Sequence, residues 1–270
     1  MQSKEENTGL SSFYRERFDS FLINLSLAKQ IKEEDIHKLR VDIKYIRSLL
    51  LLIEEFDLDT DAGSKLLKQL NGIFNSAGKL RALQVSKSLL LNSNVDIPTE
   101  IMLVLDGRMN VSVENFRAKW SEFEILKFKK GVASLCSSLN QVNISELKIK
   151  TDSIIHDELE IVNKLFNSSQ GEEYHHEIRK LLKVVKALQQ LLLALQDDEK
   201  RRQALDIVNS TETLLGNWHN YKVMDKFLIK LDKELPQPSV KRILKNLKNQ
   251  NNKLKLELKN EADKYLRKHF

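Results

Sequence analysis

The sequence predicts an all-α protein built from two four-helix bundles, and three observations carry that prediction. Apolar residues recur at helical period along nearly all of its 270 residues. Glycine and proline are scarce, 8 and 3 residues, so the pair makes up about 4% where roughly 12% is usual. That shortage argues against turn-rich β-sandwiches and barrels, and against nucleotide folds that need glycine at their phosphate loops. Third, two sequence motifs recur in the same order at nearly the same offset.

Eight helices are expected, at 10–30, 34–56, 61–92, 111–139, 145–167, 172–197, 199–232 and 238–268. Chain breakers fall between them. Pro98 lies in the link before the fourth helix, Gly171 before the sixth, and Pro236 and Pro238 before the eighth, where proline suits a helix start. Residues 92–111 form the longest non-periodic segment, with at most a short helical turn from Thr99 to Leu105. The longest apolar runs, Leu49–Ile53 and Leu191–Leu195, fall far short of the ~20 residues a membrane helix requires. The opening residues MQSKEENTGL have no apolar stretch behind a basic one, so no secretory signal is expected.

The second helix carries His37, Arg40, Lys44 and Arg47, and the sixth carries His176, Arg179, Lys183 and Lys186, at an offset of 139. The apolar positions repeat with them: Leu39, Ile43, Ile46 and Ile53 match Ile178, Leu182, Val185 and Leu192. A second pair follows at an offset of 138, Gly78-x-x-Arg81-x-x-x-Val85 and Gly216-x-x-His219-x-x-x-Val223. The chain therefore reads as a duplicated unit, residues 1–140 and 141–270.

At about 100° per residue the four basic positions of each motif fall within an arc of about 80°, apart from the apolar stripe. Like charges at this spacing repel by about 0.2–0.5 kcal/mol per pair. A row without acidic partners is stable when solvated or when a bound anion neutralises it, and its repetition favours the anion. Two more rows point the same way: His219, Lys222, Lys226, Lys230 and Lys233 on the seventh helix, and Lys241, Lys245, Lys248, Lys255 and Lys259 on the eighth. The apolar face of that last helix reads as Ile243, Leu247, Leu254, Leu258 and Tyr265. The first-half matches of Lys222, Lys226 and Lys230 are Gln84, Ser88 and Asn92, so a site weighted to the C-terminal half is expected. Total charge is a poorer guide. The net charge is +6, yet residues 241–270 hold ten basic and three acidic side chains and so supply +7 of it. Cations one helical turn apart, about 5.4 Å, suit an extended polyanion.

The duplicated histidine helices, each followed by a Gly-x-x-[Arg/His]-x-x-x-Val helix, resemble the conserved histidine α-helical, or CHAD, domain from about residue 10 to 268. The resemblance implies two four-helix bundles related by a pseudo-twofold axis around a basic groove or pore that binds inorganic polyphosphate. It implies His37, Arg40, Lys44, Arg47, Arg81, His176, Arg179, Lys183, Lys186 and His219 as pore residues. Lys222, Lys226, Lys241, Lys245 and Lys248 join them from the additional rows. The chain departs from the family's paired basic residues at Lys44-Tyr45 and Lys183-Val184.

The expected function is non-catalytic binding of polyphosphate or another phosphate or sulfate polyanion, with no cofactor and no membrane partner. Nucleic-acid binding is the rival in mechanism, with Trp120 and Trp218 as candidates for base stacking. A helical scaffold for a protein partner is the third class. Enzymatic and metal chemistry are not expected: His156 and Glu160 lack a third ligand, and adjacent His175 and His176 point to different helix faces. A lone Cys136 in an apolar pattern reads as a buried hydrophobe and fits a reducing cytoplasm, where polyphosphate granules would be met.

Overall fold

A computed structural model describes residues 2–56, 60–168 and 173–270, with side chains described from residue 9 onward and from 61 in the second segment. Among them lie nine α-helices: α1 Gln2–Leu27, α2 Glu33–Glu55, α3 Thr60–Leu91, α4 Thr99–Ser121, α5 Ile125–Leu139, α6 Ile144–Ser168, α7 Glu173–Leu195, α8 Glu199–Glu234 and α9 Pro238–His269. The all-α expectation holds. Among the described residues no helix is long and apolar enough to cross a membrane. Gly171 lies outside the described residues.

One expected helix is two. The segment read as 111–139 is divided at residues 122–124, and its first part begins at Thr99. The helix α4 buries little of itself, with Ile101, Leu105 and Phe116 as its buried residues. So narrow a stripe leaves weak periodicity, which is why its first turns read as a link. The break is fixed by aromatic packing. Phe123 meets Phe21 and Phe128 at ring separations of 5.6 and 5.3 Å, edge-on or tilted as aromatic pairs prefer.

All eight repeated apolar residues of the two histidine helices are buried, none more than 3% exposed. They join one core spanning both halves of the chain, with residues from all nine helices, Phe116 of α4, Val208 and Leu215 of α8 and the tail of α9 among them. A smaller core gathers Leu90, Ile101 and Leu105 with residues of α8 and the start of α9, among them Phe227, Leu231 and Leu244. Across the halves α2 packs on α7 and α3 on α8. Each of these pairs joins two helices that carry matching motifs.

The helix α9 is turned relative to the expected face. Its buried residues are Val240, Leu244, Leu247, Asn251, Ala262 and Leu266, whereas Leu254 is 42% exposed. The seam admits polar groups because Asp225 of α8 answers them, binding both the Asn251 amide and the Lys255 ammonium. A buried Asn and a paired Lys in a core stripe defeat a hydropathy reading of that stripe.

Candidate anion site between the repeated helices

The motifs meet in space. His37, Arg40 and Lys44 of α2, Gly78 and Arg81 of α3, Arg179 of α7, and Glu212, Gly216 and His219 of α8 line a cavity of about 360 Å³. Each histidine-helix arginine lies against the glycine of the following motif: a Cβ at Gly78 would collide with the Arg40 guanidinium, and one at Gly216 would stand 3.5 Å from Arg179 Nη2. The two sequence motifs are thus one structural contact, made twice.

The rows are held differently in each half. Arg40 Nη1 donates to the Phe74 carbonyl at 2.7 Å, and its guanidinium lies 4.4 Å from the Phe74 ring centre. Arg47 covers the same ring at 5.1 Å, a cation–π arrangement. Position 74 plus the repeat offset of 138 is 212, and residue 212 is Glu. Its carboxylate lies 3.6 Å from Arg179 Nη2, 3.9 Å from Lys183 Nζ and 3.9 Å from Lys186 Nζ. Arg81 Nη1 binds Glu33 Oε1 at 2.5 Å. The His176 and His219 rings stack with centres 5.3 Å apart.

Electrostatics records the crowding. Burial, with Lys183, Arg179 and Arg40 adding to it, pushes the Lys44 ammonium down to about 7. Burial and then Arg179 bring Lys183 down to about 8, and burial and then Arg179 bring Arg40 down to about 10. His219 is pushed down to about 3 by burial and by Arg179. His37 and His176 are lowered too, burial leading in each. The histidines are therefore neutral hydrogen-bonding groups near pH 7, and the charge sits on the arginines and, in part, on Lys44 and Lys183. Two buried polar atoms here, Arg179 Nε and His219 Nδ1, have no hydrogen-bond partner among the described residues, a state native proteins seldom leave without cause. Cations pressed together away from water are stabilised by an anion that bridges them.

The remaining expected residues lie elsewhere. Lys222 covers the Trp218 ring at 5.0 Å. Lys226 lines a neighbouring groove of about 900 Å³ with Lys79, Arg108 and Lys230. Lys241 and Lys245 are exposed on α9, and Lys248 pairs with Asp232 at 2.9 Å. Lys259 pairs with Asp263 at 2.8 Å. The rows on α7 and α9, expected to lack acidic partners, therefore have several, supplied from other turns and helices: Glu212, Asp225, Asp232 and Asp263. Phe74 and Glu212 escaped the sequence reading, although both stand four residues before the repeated glycine and extending the register would have paired them. The match Gln84 is buried and donates to the Ile31 carbonyl at 3.1 Å, a structural duty.

The fold is all-α, and its architecture is shared with solved CHAD-domain structures. Compared with solved structures, the chain is similar to the CHAD domain of the plant Ricinus communis, with a TM-score of 0.72 and 14% identity over 97% of this chain and 91% of that one. It is likewise similar to PptA from Streptomyces chartreusis, with a TM-score of 0.67 and 12% identity over 97% and 99%. Identity this low carries the fold alone. No protein-family model and no curated protein matches the chain.

Proposed function

We propose that this protein belongs with the CHAD proteins and binds inorganic polyphosphate, or a similar phosphate or sulfate polyanion, without catalysis. The observation that carries this reading is the convergence of Arg40, Lys44 and Arg179 around one cavity, where burial and then neighbouring cations, Lys183 among them, depress the proton affinity of Lys44. Each half of the duplicated chain, 1–140 and 141–270, supplies one cationic row. A cavity of about 360 Å³ has no room for a DNA duplex, whose grooves alone measure about 6 and 12 Å across. Stacking on bases is poorly supported, since Trp218 is fully buried and Trp120 donates its indole N–H to the Leu25 carbonyl. Glu212 is the one carboxylate lining the cavity among the described residues, while metal-assisted phosphate hydrolysis needs carboxylates to hold its ions. Buried, free Cys136 suits a reducing cytoplasm.

The test is retention of long-chain polyphosphate by the wild type and by a variant carrying His37→Ala, Arg40→Ala, His176→Ala and Arg179→Ala. The wild type is expected to retain it at low salt and progressively less as salt rises, and the variant to lose retention. Duplex DNA outcompeting polyphosphate at physiological salt would overturn the reading, as would phosphate release in the presence of magnesium. Unchanged retention by the variant would move the site elsewhere.

A further inference from the structure

The two rows differ in one respect that the polyphosphate reading, on which this inference rests, does not by itself use. The α2 row lies on a neutral partner, the Phe74 ring. The α7 row shares a carboxylate at the matching position. Glu212 lines the cavity and is 20% exposed, so it faces the space an anion would fill. Its distances of 3.6–3.9 Å to three cations exceed the 2.7–2.9 Å of a charge-assisted hydrogen bond. It is shared among Arg179, Lys183 and Lys186 without being locked to any of them.

We infer that Glu212 is a resident counter-ion that an incoming anion must displace from Arg179, Lys183 and Lys186, and that it thereby selects for long, highly charged phosphate chains over short ones. A small anion that enters the α7 row replaces one negative charge with another on the same three cations, and it gains little. A chain that also spans Arg40 and Lys44 draws on cations with which Glu212 forms no ion pair, and it can meet the cost of displacement. Selectivity then arises from a repulsive group placed inside the site.

The experiment is calorimetric titration of wild type, Glu212→Gln and Glu212→Asp with long-chain polyphosphate and with pyrophosphate, at one pH and ionic strength. Removing the charge is expected to tighten polyphosphate roughly tenfold and pyrophosphate by a larger factor, so that the preference narrows. Glu212→Asp keeps the charge and is expected to keep the wild-type preference, which a merely structural role for the side chain would not predict. Glu212→Ala serves as a second uncharged variant, and far-UV circular dichroism checks that each remains helical. If wild type binds polyphosphate while both uncharged variants bind equally or more weakly, the role of Glu212 is overturned and the functional reading stands. If wild type binds no polyphosphate, the functional reading falls and this inference with it.

Discussion

Arg40 reaches its place because residue 78 has no side chain. Its guanidinium is held from two directions, by the Phe74 carbonyl and the Phe74 ring, and a Cβ at Gly78 would overlap it. The counterpart Gly216 leaves ordinary contact distance to Arg179. The two substitutions should therefore part company. Both replace a mid-helix glycine, which by itself favours folding by about 0.5–1 kcal/mol. Gly216→Ala should show that gain as a raised melting temperature, with polyphosphate binding kept. Gly78→Ala must displace Arg40 and forgo a charged hydrogen bond of about 1.5–3 kcal/mol. A net loss of about 1–2 kcal/mol and weakened binding are expected. Thermal melts and one titration of each variant check the contrast, and equal behaviour of the pair would refute it.

At the scale of helices, α9 shows how a basic row becomes structural. Asp263 accepts from His175 Nε2 at 2.6 Å, from the Tyr174 hydroxyl at 2.9 Å and from Lys259 at 2.8 Å. His175 is fully buried and stacks on Tyr174. One carboxylate thus ties α9 to the start of α7, where the histidine helix begins. Asp263→Ala would leave a buried histidine and a half-buried lysine without it. A loss of about 3 kcal/mol is expected in urea unfolding, with an unchanged m-value. The helices themselves were legible because their periodicity is strong; the first turns of α4 were not, because three buried residues give too thin a stripe. The seam of α9 was misread because Asn251 and Lys255 are paid for by Asp225, a partner thirty residues or so away in sequence and adjacent only in space.

For the whole molecule, the repeated pair of motifs was the feature most plainly written in the sequence, since nearly equal offsets, 139 and 138, require no knowledge of contacts. It located the cavity through Arg40 with Gly78 and Arg179 with Gly216. Counter-ions were illegible: Glu33 and Glu212 meet their cations across helices, and helical spacing speaks only of one helix at a time. What the assembled cavity adds is a dependence on pH. Lys44 at about 7 and Lys183 at about 8 lie well below the ordinary lysine value of 10.5. Between those values and 10.5 the unfolded chain binds more protons than the folded one, so the unliganded protein gains stability as pH rises through that window. His219, at about 3 against an ordinary 6.5, adds stability that is present above 6.5 and lost as pH falls toward 3. A bound polyanion favours protonated Lys44 and Lys183, so the complex holds more protons than its free components. Polyphosphate binding should then take up protons and weaken about three- to tenfold per pH unit from 7 to 9. Calorimetry in buffers of different ionisation enthalpy at pH 8 measures that uptake directly. Proton release on binding, or an affinity that rises with pH at constant ionic strength, would mean that the anion does not sit against these two lysines.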